Sequence, residues 1–147
     1  VAHVRTQIRA AIKTVLDDAL GADYDVYASR KYRLNVSDTP MIDMRITSVE
    51  IAAQSMGNLR THMATLFIRV QRVATGDDMD DLLDQDEVNV TAAIEAADWS
   101  SLLEDDMELT QVSMADDADG EIPIGMIALR YNVEYRVAKN DHETVRA

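Results

Sequence analysis

Two long stretches of strict apolar–polar alternation constrain this chain more than anything else in it. From Leu59 to Ala74, the residues Ala64, Leu66, Ile68 and Val70 make one face, while Thr61, Thr65, Arg69 and Gln71 punctuate the other. From Ile124 to Tyr135, the residues Ile127, Leu129, Tyr131, Val133 and Tyr135 share a face. A period of two puts alternate side chains on opposite sides of an extended strand, so each stretch reads as a strand with one buried face. Both exceed the usual strand of about five or six residues. Part of the first is therefore expected to stand proud of the domain.

The partners of these strands lie close in sequence. Ile42, Met44 and Ile46 alternate with Asp43, Arg45 and Thr47 after Pro40, which predicts a strand running to about Ile51. Ala52 to Asn58 closes it as a hairpin loop, with Met56 at the tip. Met107 to Met114 pairs in the same way with the last strand, and Asp116 to Gly120 turns between them, with Asp119-Gly120 suited to a type I′ turn. Tyr24, Val26 and Ala28 suggest a further short strand, and Ser29 to Thr39 a basic connection.

Two segments have helical period instead. His3 to Leu20 carries Val4, Ile8, Ala11, Ile12, Val15 and Leu16 on one stripe, with Gly21 placed as a left-handed cap. Thr75-Gly76-Asp77 turns into a second helix from Asp78 to Ala97, whose stripe is Met79, Leu82, Leu83, Val90, Ile94 and Ala97, interrupted by Asp86 and Asn89. Trp99 and Leu102 are expected to close the core beside it. The order helix, small strand, hairpin, helix, hairpin predicts an α+β fold. It is a mainly antiparallel four-stranded sheet with two principal helices packed on it, in a single domain. A length of 147 residues suits one core.

Charge is distributed unevenly. The chain holds 14 Lys and Arg against 27 Asp and Glu. From Asp77 to Glu121 there are 17 acidic residues and no Lys or Arg, so the remainder is 14 − 10 = +4. A net charge of −13 argues against a free nucleic-acid binder. Solvated faces account for much of such a pattern. The alternative is that the basic part of one copy meets the acidic part of the next. Candidate interface residues on the basic side are Arg5, Arg9, Arg30, Arg33 and Arg60, with Met56 as a docking contact at the loop tip. On the acidic side they are Asp77, Asp78, Asp80 and Asp81, which also complement the dipole of the second helix.

The residues of catalysis do not assemble in this sequence. There is no cysteine, which removes thiol nucleophiles, thiolate metal sites and disulfides. His3, His62 and His142 are scattered, and no serine sits in a nucleophile elbow. Aromatic residues are 5% of the chain, too few for a sugar-binding acid–base cleft. The run Asp117, Asp119, Gly120, Glu121 fails as a calcium loop, because aligning Gly120 puts Ala115 and Met126 at the first and last ligand positions. Five glycines form no phosphate cradle. No enzyme activity, cofactor or metal is expected. No apolar run is long enough for a membrane span, and Val1 to Arg9 does not read as a signal peptide.

The layout resembles the tail terminator, or tail completion, proteins of long-tailed bacteriophages and gene transfer agents. The stretches that carry it are RTQIRAAIKTVLDDALG (Arg5 to Gly21), TPMIDMRITSVE (Thr39 to Glu50) and LRTHMATLFIRVQRVATG (Leu59 to Gly76). With them go DDMDDLLDQDEVNVTAAI (Asp77 to Ile94) and DGEIPIGMIALRYNVEYRV (Asp119 to Val137), which ends in a Y-x-V-x-Y run. The resemblance implies a terminator-like domain over residues 1–137 with a polar tail over 138–147. It implies a structural virion protein forming a hexameric ring at the head-proximal end of the tail, assembled in the host cytoplasm. Such a ring caps the tail tube, stops its polymerisation and offers a head-attachment surface. Its partners would be further copies of itself, the tail-tube protein and a neck or head-completion protein, with DNA passing through unbound and no membrane contact. The residues leave two alternatives open, another head–tail connector or neck protein, and a monomeric acidic adaptor or DNA mimic that binds a basic partner.

Overall fold

The computed structural model describes residues 3–29, 40–53, 59–73, 78–117 and 124–138. Helix α1 (Val4–Leu20) leads into a short strand β1 (Asp25–Val26), then β2 (Met41–Ala53) and β3 (Leu59–Val73). Helix α2 (Met79–Ala96) follows, and then β4 (Glu108–Asp117) and β5 (Ile124–Ala138). The α+β class and both hairpin pairings agree with the sequence expectation. The sheet, however, has five strands in the order β1-β2-β3-β5-β4, not four. The additional strand is the Tyr24–Ala28 segment, reduced to two residues, and it runs parallel to β2. It is held because Asp25 N–H donates to the Pro40 carbonyl at 2.9 Å and Tyr27 N–H to that of Ile42 at 2.8 Å. The sheet is therefore mixed, antiparallel except at this edge.

β3 is the spine. It pairs along its length with β2 on one side and from Leu59↔Ala138 to Val73↔Ile124 with β5 on the other. It does not project alone, because β5 is equally long. The outer end of the β2–β3 hairpin is nonetheless less covered, with Ile51 61% exposed and Met63 44%.

The apolar parity of β2 explains an irregularity the alternation did not predict. Ile42, Met44 and Ile46 occupy even positions, but the next apolar residues, Val49 and Ile51, are odd. A one-residue slip would turn the whole set to the other face. The register shifts between Ile46 and Ser48, so Thr47 is the extra residue of a bulge, and Val49 and Ile51 return to the face of Ala64 and His62. A similar shift at Thr110 lets β4 present both Leu109 and Val112 opposite Tyr131 and Leu129.

All buried positions of β5 are the odd ones from Gly125 to Val137. On β3, Ala64, Leu66, Ile68 and Val70 are buried with them. One face of the sheet thus forms the core, covered by Val4, Ile8, Ile12 and Leu16 of α1 and Leu83, Val90 and Ile94 of α2. Met79 and Leu82 of the expected α2 stripe are only partly buried. After α2, Trp99 is buried and donates from Nε1 to the Ile94 carbonyl at 3.0 Å, a helix-end acceptor that also takes the Ala97 N–H at 3.4 Å. Leu102 is partly buried and packs against the core as expected, and Leu103 is buried more deeply, since the turn after Trp99 brings Leu103 N–H to the Trp99 carbonyl at 2.8 Å.

Gly21 is not a left-handed cap. It is right-handed, with φ −62° and ψ −18°, and its N–H bonds to the Asp17 carbonyl. A side chain is disfavoured there by close approach, because a Cβ would meet that carbonyl oxygen at 2.4 Å. At the other end of α1, His3 Nδ1 accepts from Arg5 N–H at 3.1 Å and serves as the cap. The turns at 75–77 and 118–120, the connection at 30–39 and the loop at 54–58 lie outside the described residues.

The core contains two tyrosine hydroxyls, of Tyr131 and Tyr135, with no hydrogen-bond partner among the described residues. Burial, reinforced by Glu95 and Glu87, pushes the Tyr131 phenol up to about 12. Its neutral form is thus favoured in the fold. The associated stability is complete below about pH 10 and is lost as pH rises toward 12. Tyr131→Phe keeps the ring and removes the unpaired hydroxyl. It is expected to match or exceed the wild type at pH 7 by up to about 1 kcal/mol. It should also flatten the decline in urea-unfolding free energy between pH 10 and 12.

Candidate functional site

The interruption of the α2 stripe at Asp86 marks the best-defined polar cluster of the molecule. Asp86 has no solvent exposure. Its stripe position aims it at the sheet, and Arg72 occupies a core-facing even position of β3. The two meet in a forked pair, Arg72 Nε to Asp86 Oδ2 at 2.7 Å and a terminal nitrogen to Oδ1 at 2.6 Å. Tyr24, just before β1, donates its hydroxyl to the same Oδ1 at 2.5 Å. Asn89 donates to the Tyr24 oxygen at 3.1 Å, and Gln85 to Asn89 at 2.9 Å. The bond from Asp86 raises the Arg72 pKa further, and burial followed by that carboxylate raises the Tyr24 phenol. Both Asp86 oxygens, the Arg72 fork and the Tyr24 hydroxyl are engaged with one another. The cluster is a structural clamp between helix, central strand and edge strand.

The second polar cluster lies on the sheet face opposite the two described helices. Asp43 on β2 is 2% exposed, and opposite it Arg69 donates from Nε to Oδ1 at 3.0 Å and from a terminal nitrogen to Oδ2. The Gln71 carboxamide, turned with its oxygen toward Arg69, accepts from the guanidinium at 3.1 to 3.2 Å. Beside this pair lies an open hollow of about 200 Å³. Phe67, Met126 and Ala128 floor it, and Asp43, Arg45 and Arg69 rim it. Arg45 is exposed and makes no ion pair among the described residues.

Farther along this face, Arg136 pairs with Glu104, whose N–H also bonds the Glu134 carbonyl at 2.9 Å. Burial, then the neighbouring Glu104 carboxyl, raises the pKa of Glu134.

The charged residues singled out from sequence separate by end. Arg5 is exposed near the start of α1, and its charge acts on the Tyr135 phenol. Arg60, half-buried, pairs in register with Val137. Arg9, half-buried, is one helical turn from Arg5 and donates to Thr6 at 3.3 Å. Asp78, Asp80 and Asp81 are exposed at the start of α2, where Met79 lies against Gly125. Gly125 and Tyr135 are ten residues apart on one strand, which corresponds to roughly 33 Å. The structure therefore does not bring the basic and acidic candidates together within one copy. It sets them at opposite ends. Arg30, Arg33, Met56 and Asp77 lie outside the described residues.

Sequence reasoning missed the clamp and the Asp43–Arg69 pair. The signal for the clamp was present as two charges of opposite sign on core-facing positions, Arg72 on a strand and Asp86 on a helix. Among the described residues no group of three or more His, Asp or Glu is placed to hold a metal ion. No described helix is long and apolar enough to cross a membrane.

The chain belongs to the phage minor tail protein U family, whose model matches residues 3–135 and so spans both helices and nearly all of the sheet. That places it among the structural proteins of the phage tail. A search of curated proteins gives no match.

Removing one partner of the clamp tests its energetic role. Asp86→Ala strands a buried guanidinium and a buried phenol, and is expected to cost about 3–5 kcal/mol in urea unfolding. Replacing both charges, Asp86→Leu with Arg72→Met, should recover most of that loss.

Proposed function

We propose that the protein is a tail terminator. In this reading copies of the chain close into a hexameric ring on the last ring of the tail tube. The ring stops tube polymerisation and presents its other surface to a neck or head-completion protein. DNA passes through it without specific binding. The domain is residues 1–137 and the polar tail 138–147, and neither carries a catalytic role.

The observation that carries the reading is the family match over residues 3–135. The separation of charge supports it. A ring needs a heterologous contact, in which one patch meets a different patch of the next copy. Arg5, Arg9 and Arg60 at one end, with Asp78, Asp80 and Asp81 at the other, provide unlike ends on one subunit. Such charges set register and encounter rate more than affinity. Repulsion between an acidic lumen and DNA would favour passage without sticking.

The test is native mass combined with tube capping. The purified chain should give a hexamer by native mass spectrometry, alone or once tube protein is added, and should halt elongation of tubes in electron micrographs. Asp80→Lys with Asp81→Lys, both exposed, should lower the melting temperature by a few degrees through the reversed charge at the α2 N-terminus, with the chain still folded at about 25 °C, while reducing ring formation and capping. A chain that stays monomeric and ignores tube ends overturns the terminator reading. If that monomer instead binds basic proteins in a salt-sensitive manner, it is an acidic adaptor.

A further inference from the structure

Two surfaces that the described helices and strands leave uncovered are chemically complementary. On the open sheet face, the hollow beside Arg45 has an apolar floor of Phe67, Met126 and Ala128. Arg69 is already committed to Asp43, whereas Arg45 is exposed and makes no ion pair among the described residues. Such a site suits an apolar side chain flanked by a carboxylate.

The outer side of α2 has that composition. Val88 is 58% exposed, a large apolar residue in an otherwise acidic helix surface. Asp84 lies four residues before it, Ala92 four after, and Asp81 and Glu95 seven to either side, and all are exposed. Spacings of four and seven place them on one stripe. The stripe therefore reads acid, acid, valine, alanine, acid along the helix.

The helix layer and the hollow lie on opposite faces of the same sheet, so the α2 of a copy cannot reach that copy's own hollow. A contact between them joins unlike patches of two copies and leaves each copy with one free patch of either kind. Repetition gives a ring or a filament. We propose that the Val88 stripe of α2 in one copy seats in the Arg45 hollow of the next, with Val88 over the apolar floor and Asp84 paired to Arg45. This rests on the ring reading above and supplies its subunit contact. The contact differs from one between the Arg5 and Asp80 ends, because it uses faces and not ends of the subunit.

Full-length chains carrying Arg45→Glu, Asp84→Arg or both test the pairing, with circular dichroism to verify folding of these exposed variants. Each single change should weaken self-association at least about tenfold, and the double exchange should restore it to within about threefold of wild type. The chain has no cysteine, so engineered thiols report position directly. Under mild oxidation Thr47→Cys mixed with Val88→Cys should give a crossed disulfide dimer, and the doubly substituted chain a covalent ladder ending at the ring size. Thr14→Cys, exposed on α1, mixed with Val88→Cys should give neither. Rings that form unchanged in both single charge variants and yield no crossed disulfide overturn this contact while leaving the terminator reading in place. A wild-type chain that is monomeric under all conditions, with tube protein included, overturns both.

Discussion

The carboxylate of Asp86 is where the three parts of the fold are joined. It draws Arg72 from the central strand and Tyr24 from the edge segment to one point on α2. A buried charge pair of this kind gains stability only when nearly all its polar atoms are engaged, since removing two charges from water costs several kcal/mol each. Here the forked guanidinium and the phenol engage both carboxylate oxygens, and Asn89 and Gln85 continue the chain toward solvent. The consequence is positional. With β1 two residues long, hydrogen bonding to β2 alone gives it little hold. Tyr24 anchors that edge to α2 through Asp86 and Asn89.

Given that anchor, the one-sided sheet dictates the surface. Two helices cover a single face, and β3 and β5 are too long for their opposite face to lack character. Polar residues alone would have left it a plain solvated surface. The pair Asp43–Arg69 is instead nearly dry, and it sits beside exposed aromatic and aliphatic atoms. The outer side of α2 shows the reverse arrangement, a largely acidic surface with one exposed valine. The unequal charge along the sequence thus becomes unequal charge across the molecule, because the acidic block supplies α2 while most of the strand arginines point the other way or toward the far end.

Much of the fold was legible because its two long strands and two helices follow clean periods. The odd positions of β5 and the even positions of β3 named the core face directly, and the α1 stripe gave the four residues that cover it. The errors have common causes. The parallel edge strand depends on a crossover that no local pattern announces. The bulge at Thr47 shows in sequence only as a change of apolar parity between Ile46 and Val49, easily mistaken for the strand's end. Gly21 invited a left-handed cap by residue type, whereas close approach to Asp17 is what excludes a side chain. The charges on core positions read as defects until their partners, 14 residues apart for Arg72 and Asp86 and 62 for Tyr24 and Asp86, were seen together.

The sites chosen by charge alone were less legible, and for a physical reason. Counting charges along the chain treats the basic N-terminal part as one surface. The fold divides it among a buried clamp, a buried strand pair, an exposed helix end and a half-buried strand end. Arg72 and Arg69 are consumed by Asp86 and Asp43 and leave no charge to offer. Arg45 is different because it stands next to Asp43 without sharing it. The Arg69 fork already occupies both carboxylate oxygens, so Arg45 is left facing outward over an apolar floor. A guanidinium with no ion-pair partner among the described residues costs nothing in water by itself, but beside partly exposed aromatic surface it sets the sign of whatever can cover that surface. An acidic, partly apolar partner is selected and a basic one repelled, and the chain carries one such surface on its own opposite face.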